Sequence, residues 1–404
     1  MDALDILTDL DNVIPYFQPI FSADEHRVIG YEVLGRYLAS GSPVSLGPFF
    51  ADDQIPDEYK FEVDQLLLRK SLEQALDFAE PISLYFNRTA DQLMYGHGEP
   101  LLNELIAFEK RGFSLERIVL DVSENHYSGD LDQLDHLLEY YRTYGMKLAI
   151  ANFDRDSNYL DRIGKLEPDI LKINLAALKT TSTLGTAFGD VLFSVAVLAR
   201  KIGATLLFEN IEMEHQLQFA WKNGGRYYQG FYLEKPAPEF INGELLKDRL
   251  KEKFHDFITY EKKKLESLYT TAELFQNKIQ EIVLRYKKSD YEELFAALIK
   301  EMDHVAFRMY VCDGDGFQKS ANIIKTKEGW TKQEEYLNKN WSWRSYFLEN
   351  IIRMRNEGKG LLSDLYKDIE TGETIRTFSF PINANDFLFI DISYRYLYEH
   401  DELL

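Results

Sequence analysis

Eight short apolar runs, rich in β-branched and aromatic residues, punctuate residues 1–242: VIPYFQPIF, VIGYEVLGR, ISLYFN, RIVLDVS, KLAIAN, DILKIN, ATLLFEN and GRYYQGFYL. Between them apolar residues recur at helical intervals, as in VDQLLLRKSLEQALDF and LDQLDHLLEYYRTYG. Strand-sized runs alternating with helix-sized ones mark βα units on a parallel sheet. Eight parallel-type strands of this kind predict one closed, TIM-like (β/α)8 barrel of α/β class.

The texture changes after residue 242. Residues 243–288 contain no proline, and Leu246, Leu250, Phe254, Ile258, Leu265, Leu268, Phe275, Ile279 and Ile282 recur at helical spacing with charges between them. This predicts a long amphipathic connecting helix or helix pair. Residues 289–404 open with a short helix and continue as strands and loops. FRMYVCDGDGF reads as a hairpin, and TIRTFSFPI and FLFIDISY as antiparallel strands with one covered face. A smaller α+β domain is expected there.

Charge narrows the partners. With 67 acids against 46 bases, a net charge of −21, the chain lacks the basic face that DNA or an anionic membrane requires. The longest apolar runs, such as VAVLA, are far shorter than the roughly 20 residues of a membrane span. The single Cys312 rules out an intrachain disulfide and fits a reducing, cytoplasmic setting.

In a barrel of this class, chemistry sits at the carboxyl ends of the strands. The polar residues closing the eight runs are Gln18, Glu32, Asn87, Asp121, Ala151 with Asn152, Lys172, Glu209 and Gln229. Carboxylates and amide oxygens converging on one face are hard ligands suited to Mg²⁺, Mn²⁺ or Ca²⁺. A lysine beside them suggests an anionic substrate or a positioned water.

The ordered segments FQPI, EVLGR, YFN, LDVSE, ANF, DILKIN, FENIE and YYQGFYLEKP resemble the motifs of the EAL-domain cyclic di-GMP phosphodiesterases. With NWSWRSYF and SDLYKDIETGETIRTFSFP in the tail, the chain resembles the YkuI-type two-domain EAL proteins, implying a barrel joined to a PAS-like or Cache-like domain. The domains are then expected at 1–242, 243–288 and 289–404. By this resemblance Glu32, Asn87 and Asp121 are metal-binding positions, Asp121 replacing the usual Glu. Lys172 and Glu209 match catalytic positions. Gln18, Leu34, Arg36, Glu212, Gln229 and Pro236 match positions lining the dinucleotide pocket. Glu124 matches a loop acid tied to dimerisation in the family, so a homodimer is expected.

The fifth strand of the family normally ends in two metal-holding aspartates, and here those positions are Ala151 and Asn152; a further Asp is replaced by Asn174. Two-metal hydrolysis needs carboxylates to hold both ions and to lower the pKa of a bound water. Ala151 supplies no oxygen, and the two asparagines supply no charge. Losing several kcal/mol of barrier lowering slows a reaction roughly a thousandfold or more. One divalent cation on Glu32, Asn87 and Asp121 is expected at most. Asp154 starts about 10 Å from the strand tip, so only a loop that curls back would let it or Asp156 stand in; two solvated acids beside Arg155 is the favoured reading.

These residues predict a degenerate EAL domain that binds cyclic di-GMP without efficient hydrolysis. A weak metal-dependent phosphodiesterase yielding linear pGpG is the alternative, and a nucleotide-free interaction platform is another. In the tail, Trp341, Trp343, Arg344, Tyr346 and Arg376 resemble residues lining small-molecule pockets of Cache-type sensors, so an unknown small ligand is a further candidate partner. DGDG at 313–316 lacks the remaining ligands of a calcium loop and reads as a hairpin turn.

Overall fold

The computed structural model describes residues 3–39, 41–123, 127, 129–150, 159–176, 185–286, 289–344, 347–400 and 403, with backbone alone at 159–162 and 185–190. The chain divides into two compact units, Met1–His255 and Asp256–Leu404. Among the described residues no helix is long and apolar enough to cross a membrane.

The first unit is a closed barrel. Its strands are β1 (Val13–Ser22), β2 (Val28–Ala39), β4 (Ser83–Thr89), β5 (Ile118–Ser123), β6 (Lys147–Ile150), β7 (Ile170–Asn174), β8 (Thr205–Glu209) and β9 (Tyr227–Tyr228), with a short β3 (Ser42–Ser45) hung on the edge of β2. Pairing runs β1-β9-β8-β7-β6-β5-β4-β2, and β1 closes on β2. One expectation fails here. β1 runs antiparallel to both its neighbours, β2 and β9. Only residues 23–27 separate β1 from β2, and a parallel crossover needs a dozen residues or more. The last predicted run, GRYYQGFYL, also shortens to Tyr227–Tyr228, because Gly230 takes φ 156° and its carbonyl accepts from Leu233 and Glu234 in a turn. A Cβ at Gly230 would stand 2.1 Å from the Ile211 carbonyl oxygen.

Alternation along the strands builds the interior. Ile20, Tyr85, Val119, Ala149, Ile170 and Leu207 form one buried cluster, with Ile29 and Tyr227 packed against it. Because side chains on one face recur every second residue, the next inward positions are Asn87, Asp121, Lys172, Glu209 and Gln229. The apolar plug is therefore the floor on which the polar rung stands.

The predicted connector is a single helix, Lys247–Tyr286, whose first turns are counted with the first unit and the rest with the second. Leu250, Phe254 and Phe257 are buried, and so are Phe275, Ile279 and Val283. Of the positions read as the apolar face, Ile258 and Leu265 are exposed, and Phe257 is buried in place of Ile258.

The second unit carries an antiparallel sheet of β10 (Ala306–Asp313), β11 (Asn322–Thr326), β12 (Gly329–Gln333), β13 (Leu361–Leu362), β14 (Tyr366–Lys367), β15 (Thr374–Pro381) and β16 (Asp386–Ile392), ordered β12-β11-β10-β16-β15-β13 with β14 on β15. The strands read as covered on one face are covered on both. Phe378, Leu388 and Ile390 pack with Phe275, Ile279 and Leu298, while Phe387 and Phe389 pack with Phe347, Ile351 and Met354 of helix Phe347–Glu357. The DGDG stretch is a turn: the Asp313 carboxylate accepts from the backbone N–H groups of Asp315 and Phe317.

Candidate functional site

The carboxyl ends of the barrel strands bring one ionic cluster together. Lys172 on β7 is 2% exposed, and its Nζ lies 2.5 Å from Asp121 Oδ2, 3.1 Å from Glu209 Oε2 and 3.5 Å from Glu32 Oε2. Burial alone would discharge such a lysine; the three carboxylates outweigh it and raise its pKa well above the usual value. Burial pushes the Asp121 carboxyl up to about 6, against the pull of Lys172. Burial also acts on Glu32, but Lys172 and hydrogen bonds from Asn87 and Gln229 hold its carboxyl below the ordinary range.

Both oxygens of Glu32 are engaged: Asn87 Nδ2 donates to Oε1 at 2.7 Å and Gln229 Nε2 to Oε2 at 2.5 Å. Asp121 Oδ1 and Gln229 Oε1 are buried without a hydrogen-bond partner. Asn174 accepts from the Ala176 N–H and so caps its own loop. Among the described residues, no group of three or more His, Cys, Asp or Glu is arranged to hold a metal ion.

The reversed first strand decides where the remaining residues sit. Gln18 lies mid-strand and pairs directly with Glu32, while Tyr16 pairs with Leu34 and Ile14 with Arg36. Leu34 and Arg36 therefore stand above Glu32, toward the mouth. The Arg36 guanidinium lies 5.5 Å from the centre of the Tyr16 ring. Pro236 precedes Ala237, whose backbone bridges to Phe17, so it stands beside Gln18. Glu212 is exposed, with its N–H bonded to Gln216 Oε1. Asn210 between the two family acids holds φ 59°, an uncommon left-handed turn that ends β8. Ala151, Asn152, Asp154 and Glu124 lie outside the described residues.

Residues 2–236 match the family described as "EAL domain", and residues 240–404 match the family described as "EAL-domain associated signalling protein domain". The chain belongs to the EAL-domain family. It is 49% identical over 407 residues to the Bacillus subtilis protein YkuI, covering all of both chains. The crystal structure of YkuI "in complex with substrate c-di-GMP and calcium" superposes with a TM-score of 0.94 over the whole of both chains. The cyclic di-GMP phosphodiesterase RocR of Pseudomonas aeruginosa is 26% identical over 58% of this chain and 60% of its own. The FimX EAL domain from Pseudomonas aeruginosa, 21% identical, shares the fold at a TM-score of 0.52 over 60% of this chain and 100% of that one.

Beside the mouth of the EAL domain is a cavity of about 330 Å³ whose two charged walls were missed in the sequence. Arg88 on β4 and Asp64 on helix Asp57–Asp77 are 5% and 7% exposed and meet at 2.5 Å. Arg88 Nη2 and Asp64 Oδ2 are left without partners. Burial pushes the Asp64 carboxyl up to about 6, with Arg88 pulling the other way. Leu34, Arg36, Asn87 and Asp121 line the same cavity, so it opens onto the ionic cluster. A signal existed: Asp64 falls in the buried stripe Val63, Leu67, Leu68, Ser71, Leu72, and Arg88 falls at a helix-facing strand position. A charge in each of two facing apolar stripes implies a buried pair.

The expected tail pocket does not assemble as read. Trp343 is 66% exposed, and Arg376 is spent on the carbonyls of Leu403 and Ser363. Trp341 and Arg344 do line a small cavity with Tyr310 and Phe389, of about 10 Å³, the room of one water. Tyr346 lies outside the described residues.

Proposed function

We propose that the barrel is a receptor for cyclic di-GMP that holds the nucleotide without efficient hydrolysis, in a cytoplasmic signalling protein whose second unit senses or dimerises. The observation that carries the reading is a retained grip beside a lost reaction centre. Arg36, Leu34, Gln18, Gln229 and Pro236 stay around the mouth, while positions 151 and 152 are Ala and Asn. The relative YkuI, solved with the same nucleotide and calcium, supports the ligand class.

The side cavity suits a guanine. Its walls include Leu34, Phe50, Leu67, Leu68 and Phe86, which pack against a base, and its two open polar atoms are complementary to one edge of it. Arg88 Nη2 would donate to the O6 acceptor, and Asp64 Oδ2 would accept from the ring or exocyclic N–H on the same edge. Arg36 lies between cavity and mouth, where a guanidinium pairs with the phosphate attached to that base.

Hydrolysis lacks its carboxylates. Without charge at 151, 152 and 174, a metal pair has no bridging acid, and any cation held is a single one on Asp121, Glu32 and Asn87. Such an ion would polarise a phosphoryl oxygen; Lys172 already offers a positive charge there. The test is restoration. Wild-type protein incubated with Mn²⁺ should yield negligible pGpG, and Ala151→Asp with Asn152→Asp should raise the rate about a hundredfold or more. Fast turnover by the wild-type chain would favour the phosphodiesterase reading instead.

A further inference from the structure

We propose that the second unit carries a site for a medium-chain carboxylate, in which an apolar groove takes the hydrocarbon tail and Arg355 takes the head group. The proposal stands apart from the nucleotide reading, because every residue in it belongs to Asp256–Leu404.

The groove, of about 500 Å³, lies where the last turns of helix Lys247–Tyr286 and of helix Phe347–Glu357 meet the turn between β15 and β16. Pockets that hold small molecules span roughly 300–1,000 Å³. Its apolar walls are Val283, Leu284, Met354, Phe380, Pro381 and Ile382, and no Asp or Glu lines it. Val283, Met354 and Phe380 belong to the two buried cores of this unit, which fixes the floor. Leu284 at the rim is 58% exposed, a large apolar side chain left uncovered.

Arg355 supplies the charge. Arg353 of the same helix pairs with Glu357 at 3.0 Å, whereas Arg355 makes no ion pair among the described residues. Its guanidinium lies 5.6 Å from the centre of the Phe387 ring, and so close over Gly314 that a Cβ there would stand 2.2 Å from Nη2. The ring and the turn hold the cation beside the groove. The acids of the adjoining turns are engaged elsewhere: Asp313 accepts from the N–H groups of its own turn, and Asp386 pairs with Lys319 at 2.9 Å. An unpaired guanidinium beside an apolar groove without acids complements a ligand with one negative end and an apolar body. A guanidinium meets a carboxylate through two parallel hydrogen bonds, and one cation balances one carboxylate, whereas a phosphomonoester carries nearly two charges. An anionic membrane would need the broad basic face that a net charge of −21 denies.

Calorimetric titration of the full chain with sodium decanoate, kept below its micelle-forming concentration, tests the site. The expected result is one site with a Kd of about 0.1 mM, and about fourfold weaker binding of octanoate, whose tail buries two fewer CH₂ groups in an open groove. Arg355→Gln should weaken decanoate about fivefold while leaving decanol unchanged, and Leu284→Asp should abolish decanoate binding. Both positions are exposed, so both variants should fold as the wild type does. No saturable binding tighter than about 2 mM overturns the proposal, as does decanoate binding that neither variant alters. An equal loss of decanol and decanoate in Arg355→Gln would mean that the arginine only shapes the groove, and overturns its part as head-group partner. Sedimentation with anionic vesicles, or self-association lost in Leu284→Asp, in place of decanoate binding would make the groove a membrane or self-association surface and overturns the proposal as well.

Discussion

At the scale of single residues, the molecule turns on two buried charge pairs of different purpose. Lys172 with its carboxylates has no open donor toward solvent, whereas Arg88 and Asp64 each keep one unpartnered atom beside a cavity. The second arrangement costs folding energy unless a ligand satisfies it, which is the ordinary signature of a recognition site. A pH dependence follows from the raised Asp64 value. The folded chain holds this proton more tightly than the unfolded one, so the contribution to stability is present below about pH 4 and lost as pH rises through about 6. Ligand binding runs the opposite way, because the acceptor form is the ionised one. The affinity for cyclic di-GMP should fall about tenfold between pH 7 and pH 5. Asp121 titrates in the same range, so the control is Asp64→Asn, which should bind weakly at both values with most of the pH dependence gone. An unchanged slope in that variant would place the effect elsewhere.

What was legible at this scale was the inward rung: Glu32, Asn87, Asp121, Lys172, Glu209 and Gln229 follow from period-2 alternation above an apolar floor. Asp64 and Arg88 escaped because they project between strand and helix, where a reader searching strand ends does not look.

Among the elements, strand identity was readable and direction was not. Apolar runs declare a strand, but the five-residue link 23–27 determines that β1 reverses, which puts Gln18 opposite Glu32, while β2 runs parallel to β4 and so carries Leu34 and Arg36 toward the mouth. On the long helix most positions of the apolar face read in the sequence are buried, but at 257–258 Phe257 takes the buried place and Ile258 the exposed one, since the two are equally apolar and only packing chooses between them. In the second unit, the sheet's hidden polar feature is Arg308 on β10. It is 4% exposed and bonds Asp391 at 2.6 Å, Asp368 at 2.8 Å and Glu370 at 3.0 Å. Arg308→Met would strand Asp391 and Asp368 in the interior, at a cost of about 3–5 kcal/mol. Urea denaturation followed by the tryptophans of this unit should show that loss; a change under about 1 kcal/mol would mean that the carboxylates find water or protons instead.

For the whole molecule, the two family regions, 2–236 and 240–404, match the architecture read from alternating runs followed by a helix and a second sheet. The net charge of −21 provides no broad positive field, so an anionic ligand would have to be met by a local cation such as Arg36. The receptor reading proposed above joins these scales: the side cavity and Arg36 would hold a nucleotide, and Ala151, Asn152 and Asn174 would leave it uncut. The most direct check is to dialyse the full chain against cyclic di-GMP with Mn²⁺ overnight and chromatograph the nucleotide retained with the protein. The account predicts about one equivalent of intact cyclic dinucleotide per chain. Linear pGpG formed over many turnovers, or no retained nucleotide at all, would contradict it.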